Sequence, residues 1–276
     1  MSNSSKIVVF DLDETLGYFN QLCLIWEFLL ESAKEKYDSV EINQESFNKL
    51  TDLFPEYIRP NIESILDYLK DKKITNKCKN VMIYTNNQRK RNWVFLIKKY
   101  FEMKLKYNLF DQIICAFKIN GKLVEFCRST HNKTHKDFIK CSKIPQNTQI
   151  CFIDDTYFPE MHSEEVYYIK IKPYIYCLSI ETIINRLKKS ELIDKLFGST
   201  KNDCLNSLKS KLVESNYKTK SMKEYDIDKI ITKEIMNHIE IFFNTYQKYP
   251  LTHFNTINKT KKRKVYKNKT RKDRLI

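Results

Sequence analysis

Short apolar runs alternate with amphipathic stretches as far as Ile171. Ile7-Val8-Val9-Phe10 reads as a strand buried on both faces, being short, continuous and β-branched. The same holds for 80–85 (Asn-Val-Met-Ile-Tyr-Thr), for Gln112 to Phe117 within 111–119, for 149–153, and for 166–171, which Pro173 stops. Between the runs the apolar period becomes helical. Leu22, Ile25, Trp26, Leu29, Leu30 and Ala33 share a face over 18–36, and Phe47, Leu50 and Phe54 over 41–54. Asn61 can serve as the N-cap of a helix buried through Ile62, Ile65, Leu66 and Leu69. A further helix carries Trp93, Ile97 and Phe101, with Arg89, Lys90 and Arg91 in its first turn. Asn120-Gly121 signals a hairpin leading into 122–126, and 131–141 reads as a polar start and a short helix. Helices alternating with short apolar strands imply an α/β fold around a parallel sheet. Beyond Tyr176 the strands stop. Helical patterns cover 181–197, 204–213 and 226–249, and the polar stretch 198–226 is a candidate linker.

Three of the strands end abruptly in small polar or acidic groups: Asp11 and Asp13, Thr85, and Asp154-Asp155. In a parallel sheet those ends lie along one edge, where open α/β sheets bind ligands. A lone Asp-x-Asp reads more readily as a solvated turn; three such endings together are far more specific. Acids held close in a crevice repel unless a cation or a shared proton compensates. That arrangement suits a hard metal ion with covalent or acid–base chemistry beside it.

Composition narrows the classes. With only three glycines, Gly17, Gly121 and Gly198, no glycine-rich nucleotide loop can be built. The net charge of +15 is uneven: ten Lys or Arg and a single acid fall in 259–276. Such a block is expected to be disordered, to bind nucleic acid, or to act as an import signal through Lys261-Lys262-Arg263-Lys264. The eight cysteines form no Cys-x-x-Cys pair, and several sit in apolar runs, so buried reduced thiols and an intracellular setting, cytoplasmic or nuclear, are expected. Cys127-x3-His131-x3-His135 lacks a fourth ligand and the usual spacing for zinc. The polar start, Met1 to Ser5, meets the first strand at once, so no signal peptide is expected. No apolar run approaches the roughly 18 residues of a membrane span, so no membrane partner is expected.

Val9-Phe10-Asp11-Leu12-Asp13-Glu14-Thr15-Leu16 resembles motif I of the haloacid dehalogenase superfamily. The Asp-Leu-Asp-Glu-Thr-Leu form is similar to the branch of RNA polymerase II C-terminal-domain phosphatases and NLI-interacting-factor-like phosphatases. Arg59-Pro60 resembles that branch's Arg-Pro before a helix, Tyr84-Thr85-Asn86 stands at motif II, and Ile153-Asp154-Asp155 at motif IV. The resemblance covers residues 6–175. It implies a Rossmannoid three-layer α/β/α sheet as the phosphatase core over 1–176, with a helical insert at about 18–56. A helical extension over 177–250 and a basic tail over 251–276 lie outside it. The branch typically has strands where 18–54 reads helical here, a departure that bears on the branch's phosphopeptide groove. The insert itself could cover a site or be plain core.

What the resemblance implies is a Mg²⁺-dependent phosphomonoester hydrolase. Asp11 would be the nucleophile that forms an aspartyl-phosphate, and Asp13 the general acid and then base. Thr85, Asn86 and the amides there would bind phosphoryl oxygens. Asp11, the backbone carbonyl of Asp13, and Asp154 or Asp155 would hold Mg²⁺. A lysine should precede motif IV. Lys136-Asp137-Phe138 resembles the branch's pattern, whereas Lys133 stands just ahead of Thr134, a good N-cap, which favours Lys133 slightly. The implied substrate is a phosphoserine or phosphothreonine protein. The alternatives are a nucleic-acid 3′-end phosphatase, which the basic charge favours, and a non-catalytic binding protein that keeps the fold.

Overall fold

The computed structural model describes residues 5–36, 42–213, 220–244 and 255–256. Its centre is a sheet of five substantial parallel strands: β1 (Lys6–Phe10), β2 (Asn80–Tyr84), β3 (Phe110–Ile114), β6 (Gln149–Asp154) and β7 (Val166–Lys170). The order is β3-β2-β1-β6-β7, with a two-residue strand β8 (Asn255–Thr256) outside β7. A separate hairpin, β4 (Lys118–Ile119) and β5 (Lys122–Leu123), turns at Asn120-Gly121 as the sequence signals.

Strand alternation divides the core into two faces. Val8, Phe10, Val81, Ile83, Cys151 and Ile153 face one apolar cluster; Ile7, Val9, Met82, Tyr84, Ile150 and Phe152 face the other. The first face is covered by α1 (Asn20–Lys36), α2 (Gln44–Asp52), α3 (Ile62–Ile74) and α4 (Arg91–Leu105). The second is covered by α5 (His135–Ser142) and the 3-10 turn Pro159–Met161. The chain therefore runs from β1 through β2 to β3 over one face and returns to β6 over the other. The switch point lies between β1 and β6, the position where open α/β sheets form their ligand crevice. This is a Rossmann-like three-layer α/β fold.

The helical insert is core rather than a detached lid. Phe47 of α2 meets Trp26 of α1 at 5.1 Å and Trp93 of α4 at 5.5 Å, both edge-on. Burying a ring of that size contributes roughly 1.5–3 kcal/mol. Gln21, 0% exposed, satisfies its amide by donating to the Leu178 carbonyl at 3.0 Å and by accepting from the Leu178 amide at 2.8 Å and the Tyr57 hydroxyl at 3.0 Å.

The C-terminal region forms α6 (Ile180–Lys188), α7 (Glu191–Phe197), α8 (Lys201–Val213) and α9 (Met222–Asn244), and their apolar residues join the first-face cluster. Arg186 of α6 forks onto Glu56 at 2.7 and 2.6 Å. Lys6 donates to the last carbonyls of α9, Phe242 at 2.7 Å and Phe243 at 3.1 Å, which neutralises the negative end of that helix.

Several details differ from the sequence expectations. Asn61 precedes α3 in the left-handed region (φ 61°) and makes no side-chain cap bond, because an N-cap needs extended backbone. The strand expected to continue to Phe117 stops at Ile114, since the Cys115 amide turns to Glu125 Oε2 at 3.1 Å. The helix expected over 181–197 breaks at Ser190, whose hydroxyl caps α7 through the Ile193 amide. The helix expected over 204–213 is present as α8 and starts earlier, at Lys201, within the stretch expected as a linker; Cys204, Leu205, Leu208 and Leu212 anchor it. Cys127 and Cys141 form a disulfide, so not all thiols are free; Cys23, Cys78, Cys115, Cys151, Cys177 and Cys204 are free and buried as expected. The expectation for the basic tail falls outside the described residues, apart from Asn255–Thr256. No helix among the described residues is long and apolar enough to cross a membrane.

Gly17 is where the fold tolerates no side chain. It closes the turn after β1, bridging to Asp13 and Ile58. A Cβ there would lie 2.5 Å from the Tyr57 carbonyl oxygen and 2.6 Å from the Phe19 ring. Backbone cannot yield as a flexible side chain can. Gly17→Ala is therefore expected to cost about 1–3 kcal/mol in denaturant unfolding; a variant as stable as wild type would show that the turn is not tightly held.

Candidate metal and acid–base site

The register Phe10↔Ile153 places the residues after β1 beside the end of β6. Asp11, 6% exposed, anchors its amide to the Ile153 carbonyl at 2.9 Å. Asp154 closes β6 at 1% exposure, and its Oδ1 accepts the Thr156 amide at 2.7 Å. Between the two carboxylates stands Lys133, itself 1% exposed. Its Nζ donates to Asp11 Oδ1 at 2.5 Å and to Asp154 Oδ2 at 2.7 Å. The rings of Tyr84, Phe152 and Phe158 surround that ammonium at 5.4–5.8 Å. Burial alone would discharge a lysine; the two carboxylates outweigh it and hold the Lys133 pKa above its usual value.

Lys133 reaches this position because its loop is fixed from within. Thr134 caps α5 through the Asp137 amide at 3.0 Å. Arg128 is 3% exposed and ties four carbonyls together: Thr85 at 3.2 Å, Cys115 at 2.9 Å, His131 at 2.9 Å and Asn132 at 3.1 Å. Asp137 receives the Ser129 amide and hydroxyl, both at 2.8 Å. Of the two lysines the sequence offers, Lys133 joins the acids, whereas Lys136 is exposed on α5.

Asp13 is half-buried and its Oδ2 accepts from Asn87 Nδ2 at 2.6 Å. Desolvation, reinforced by the charge of Asp11, raises its pKa to about 7 despite that bond. Asp154 is likewise raised to about 7, by burial first and with Lys133 opposing, and Asp155 and Glu14 are raised. Asp155 accepts from the Thr15 hydroxyl at 3.3 Å. Asp11, Asp154 and Asp155 each offer an oxygen within 4.8 Å of the others. The carboxylate of Asp13 lies outside that group, which leaves only its carbonyl for the metal role the resemblance implies. Three carboxylate oxygens form a hard donor set suited to a divalent cation, and four carboxylates facing one ammonium leave a deficit of positive charge that such a cation fills.

Thr85 is buried, and its hydroxyl oxygen accepts the Asn87 amide at 3.0 Å, leaving its own proton to donate. Asn86 is half-buried, with its carbonyl taking Gln88 Nε2 at 3.0 Å. Arg89, Lys90 and Arg91 are exposed, and Arg89 pairs with Glu27 at 3.2 Å. Cys127 is committed to its disulfide, which removes it from any zinc set with His131 and His135. Sequence reasoning missed Asn87, Arg128 and Thr15 as parts of this site. Asn87 adjoins the Thr85-Asn86 strand end and was within reach of that signal; Arg128 lies in a polar loop that carries none.

No family model matches the chain, and no curated protein matches it.

Two outcomes follow from the charges. Lys133→Met leaves Asp11 and Asp154 buried without their cation, and is expected to cost about 3–5 kcal/mol at neutral pH. The cost should shrink toward pH 5 as the carboxylates take up protons, read by denaturant unfolding at both pH values. The second concerns metal. Asp13 and Asp154 keep their protons to about pH 7 when folded, against an ordinary value of 3.8. The folded protein thus binds more protons across that window, and its stability falls as pH rises from 4 to 7. A divalent cation binds the ionised form and opposes this fall. Added Mg²⁺ or Mn²⁺ should raise Tm more at pH 8 than at pH 6; an equal or reversed effect would contradict it.

Proposed function

We propose that this chain is a Mg²⁺-dependent phosphomonoester hydrolase of the haloacid dehalogenase type. The observation that carries the reading is the buried Lys133 ammonium shared by Asp11 and Asp154, with Asp13 two residues on and raised to about 7. Structural acids do not require this arrangement. A nucleophile, an acid and a phosphoryl-binding cation do.

In the proposed reaction an Asp11 carboxylate oxygen attacks phosphorus as the bond to the leaving oxygen breaks, giving an aspartyl-phosphate. Asp13 delivers its proton to the leaving oxygen. It then takes a proton from the water that attacks phosphorus and releases Asp11 with inorganic phosphate. A carboxyl that titrates near neutrality suits both halves. The Thr85 hydroxyl and Lys133 would hold non-bridging phosphoryl oxygens, Lys133 exchanging part of its contact with Asp11 for them. Mg²⁺ held by Asp11, the Asp13 carbonyl and Asp154 or Asp155 would screen carboxylate from phosphate and stabilise the transferring group. Asn87 keeps Asp13 turned toward the leaving group.

Phosphoserine or phosphothreonine in a protein is the substrate class that the motif I resemblance supports. Comparing a phosphoserine peptide with a 3′-phosphorylated oligonucleotide separates it from end processing of nucleic acid. Hydrolysis of p-nitrophenyl phosphate with Mg²⁺ is expected, and Asp11→Asn should abolish it; absence of turnover with every divalent metal tried would refute the reading. Asp13→Asn should lower phosphopeptide hydrolysis by about 10²–10⁴-fold. It should slow phosphoenzyme formation from p-nitrophenyl phosphate far less, because nitrophenolate leaves without a proton. With the phosphopeptide, the rate should fall as pH rises and Asp13 loses its proton.

A further inference from the structure

Arg59 is fully buried and grips the acid loop by its carbonyls. Nε donates to Thr15 at 2.6 Å, and Nη2 donates to Glu14 at 2.6 Å and to Lys172 at 3.0 Å. Its remaining nitrogen, Nη1, has no hydrogen-bond partner among the described residues. Asp228, in α9, is 0% exposed. One of its oxygens pairs with Lys220; the other, Oδ1, is buried without a partner among the described residues. Tyr174 stands between Arg59 and the partner of Asp228: the Arg59 guanidinium lies 5.3 Å and the Lys220 ammonium 4.8 Å from its ring centroid. The Tyr174 amide also donates to the Glu14 carbonyl at 2.8 Å. Among the neighbouring charges that favour the Arg59 cation, Asp228 is the strongest.

The guanidinium nitrogen and the carboxylate oxygen are both buried without a partner among the described residues, and a single water between them would satisfy both. The grip matters because the loop is not relaxed. Glu14 sits at φ 59°, a conformation that a non-glycine residue holds only where its surroundings over-determine it. We propose that Asp228 is a positioning residue for the acid loop: from α9 it fixes the Arg59 guanidinium, which fixes the Glu14 and Thr15 carbonyls and so the carboxylate of Asp13. The C-terminal helices then support the site, although no residue of theirs touches the acids among the described contacts.

The test is residue-resolved hydrogen exchange on full-length Asp228→Asn. The amides of Glu14, Leu16 and Tyr174, bonded to the Gly17, Leu12 and Glu14 carbonyls, should exchange about tenfold faster. Amides within β1 and β6 should keep wild-type protection. Acceleration spread evenly over the strands, or absent from the loop, overturns the assignment. Lys220→Gln removes the other partner of Asp228 and should leave the loop protected; equal acceleration there also overturns it. If Asp228→Asn does not fold, Asp228→Glu moves the charge by one methylene and should accelerate the same three amides, wild-type exchange being the contrary result. A kinetic arm rests on the phosphatase reading: kcat for p-nitrophenyl phosphate should fall about tenfold with KM unchanged, and a change confined to KM counts against the proposal. If the wild-type protein shows no turnover, the phosphatase reading fails, and the exchange data alone decide the role of Asp228.

Discussion

The edge of this sheet is held together by one ammonium group. Parallel pairing of β1 with β6 forces Asp11 and Asp154 to emerge side by side, nearly free of solvent. Two ionised carboxylates in that position repel strongly at low effective dielectric. Lys133 stands between them at 2.5 and 2.7 Å and makes their coexistence possible. Much of the local structure exists to bring it there. Arg128 gathers carbonyls from the end of β2, from the residue after β3 and from the Lys133 loop. Thr134 starts α5 immediately after the lysine. The thin layer on that face of the sheet is therefore as much a mount for one side chain as a cover for apolar strands.

One ammonium does not balance the edge. Asp13, Asp154, Asp155 and Glu14 all have raised pKa values, with burial the leading cause in each. Arg59 offers a second positive charge, but its bonded donors, Nε and Nη2, go to main-chain carbonyls rather than to the acids. Protons, or a metal, must supply the remainder. The two choices differ in what they leave free. Protonation neutralises whichever acid is most buried, whereas a cation on Asp11, Asp154 and Asp155 leaves Asp13, turned toward Asn87, as the group that still exchanges a proton near neutrality. The geometry thus separates a three-carboxylate cluster suited to a cation from Asp13, whose pKa is raised to about 7.

Most of the sheet was legible in the chain because short β-branched runs ending in polar residues carry an unambiguous period and an unambiguous stop. The convergence of Asp11, Asp13, Thr85 and Asp154-Asp155 followed from those stops and from parallel topology alone. Lys133 was legible through its neighbour, since Thr134 as an N-cap puts the preceding residue outside the helix. What escaped is what no local pattern encodes. Asn61 adopts left-handed backbone inside the turn closed by the Ile62 amide on the Arg59 carbonyl. The α8 stripe was legible over 204–213, but Lys, Asn and Ser dilute it, so its first turn passes for part of a linker. Arg128 and Gln21 are polar residues in ordinary-looking stretches, and only the assembled fold shows that each satisfies several distant backbone groups.

Several departures from ordinary folding rules meet at this edge. A lysine is wholly buried, carboxylates outnumber cations, Glu14 is held at positive φ, and Gly17 is pressed against a carbonyl. Elsewhere the sheet is conventional, with apolar strands that alternate between two buried faces. Apolar residues of similar volume in place of a buried ion pair are often neutral or stabilising by about 1–4 kcal/mol, so stability alone gives no reason to keep Lys133 between two acids. Strain that concentrates where a parallel sheet opens its crevice, and that several distant elements act together to maintain, supports the proposal that this edge carries the chemistry. On that argument the acids at the end of β1 are not the loose cap of a turn. They are the part of the molecule for which its least stable features are maintained.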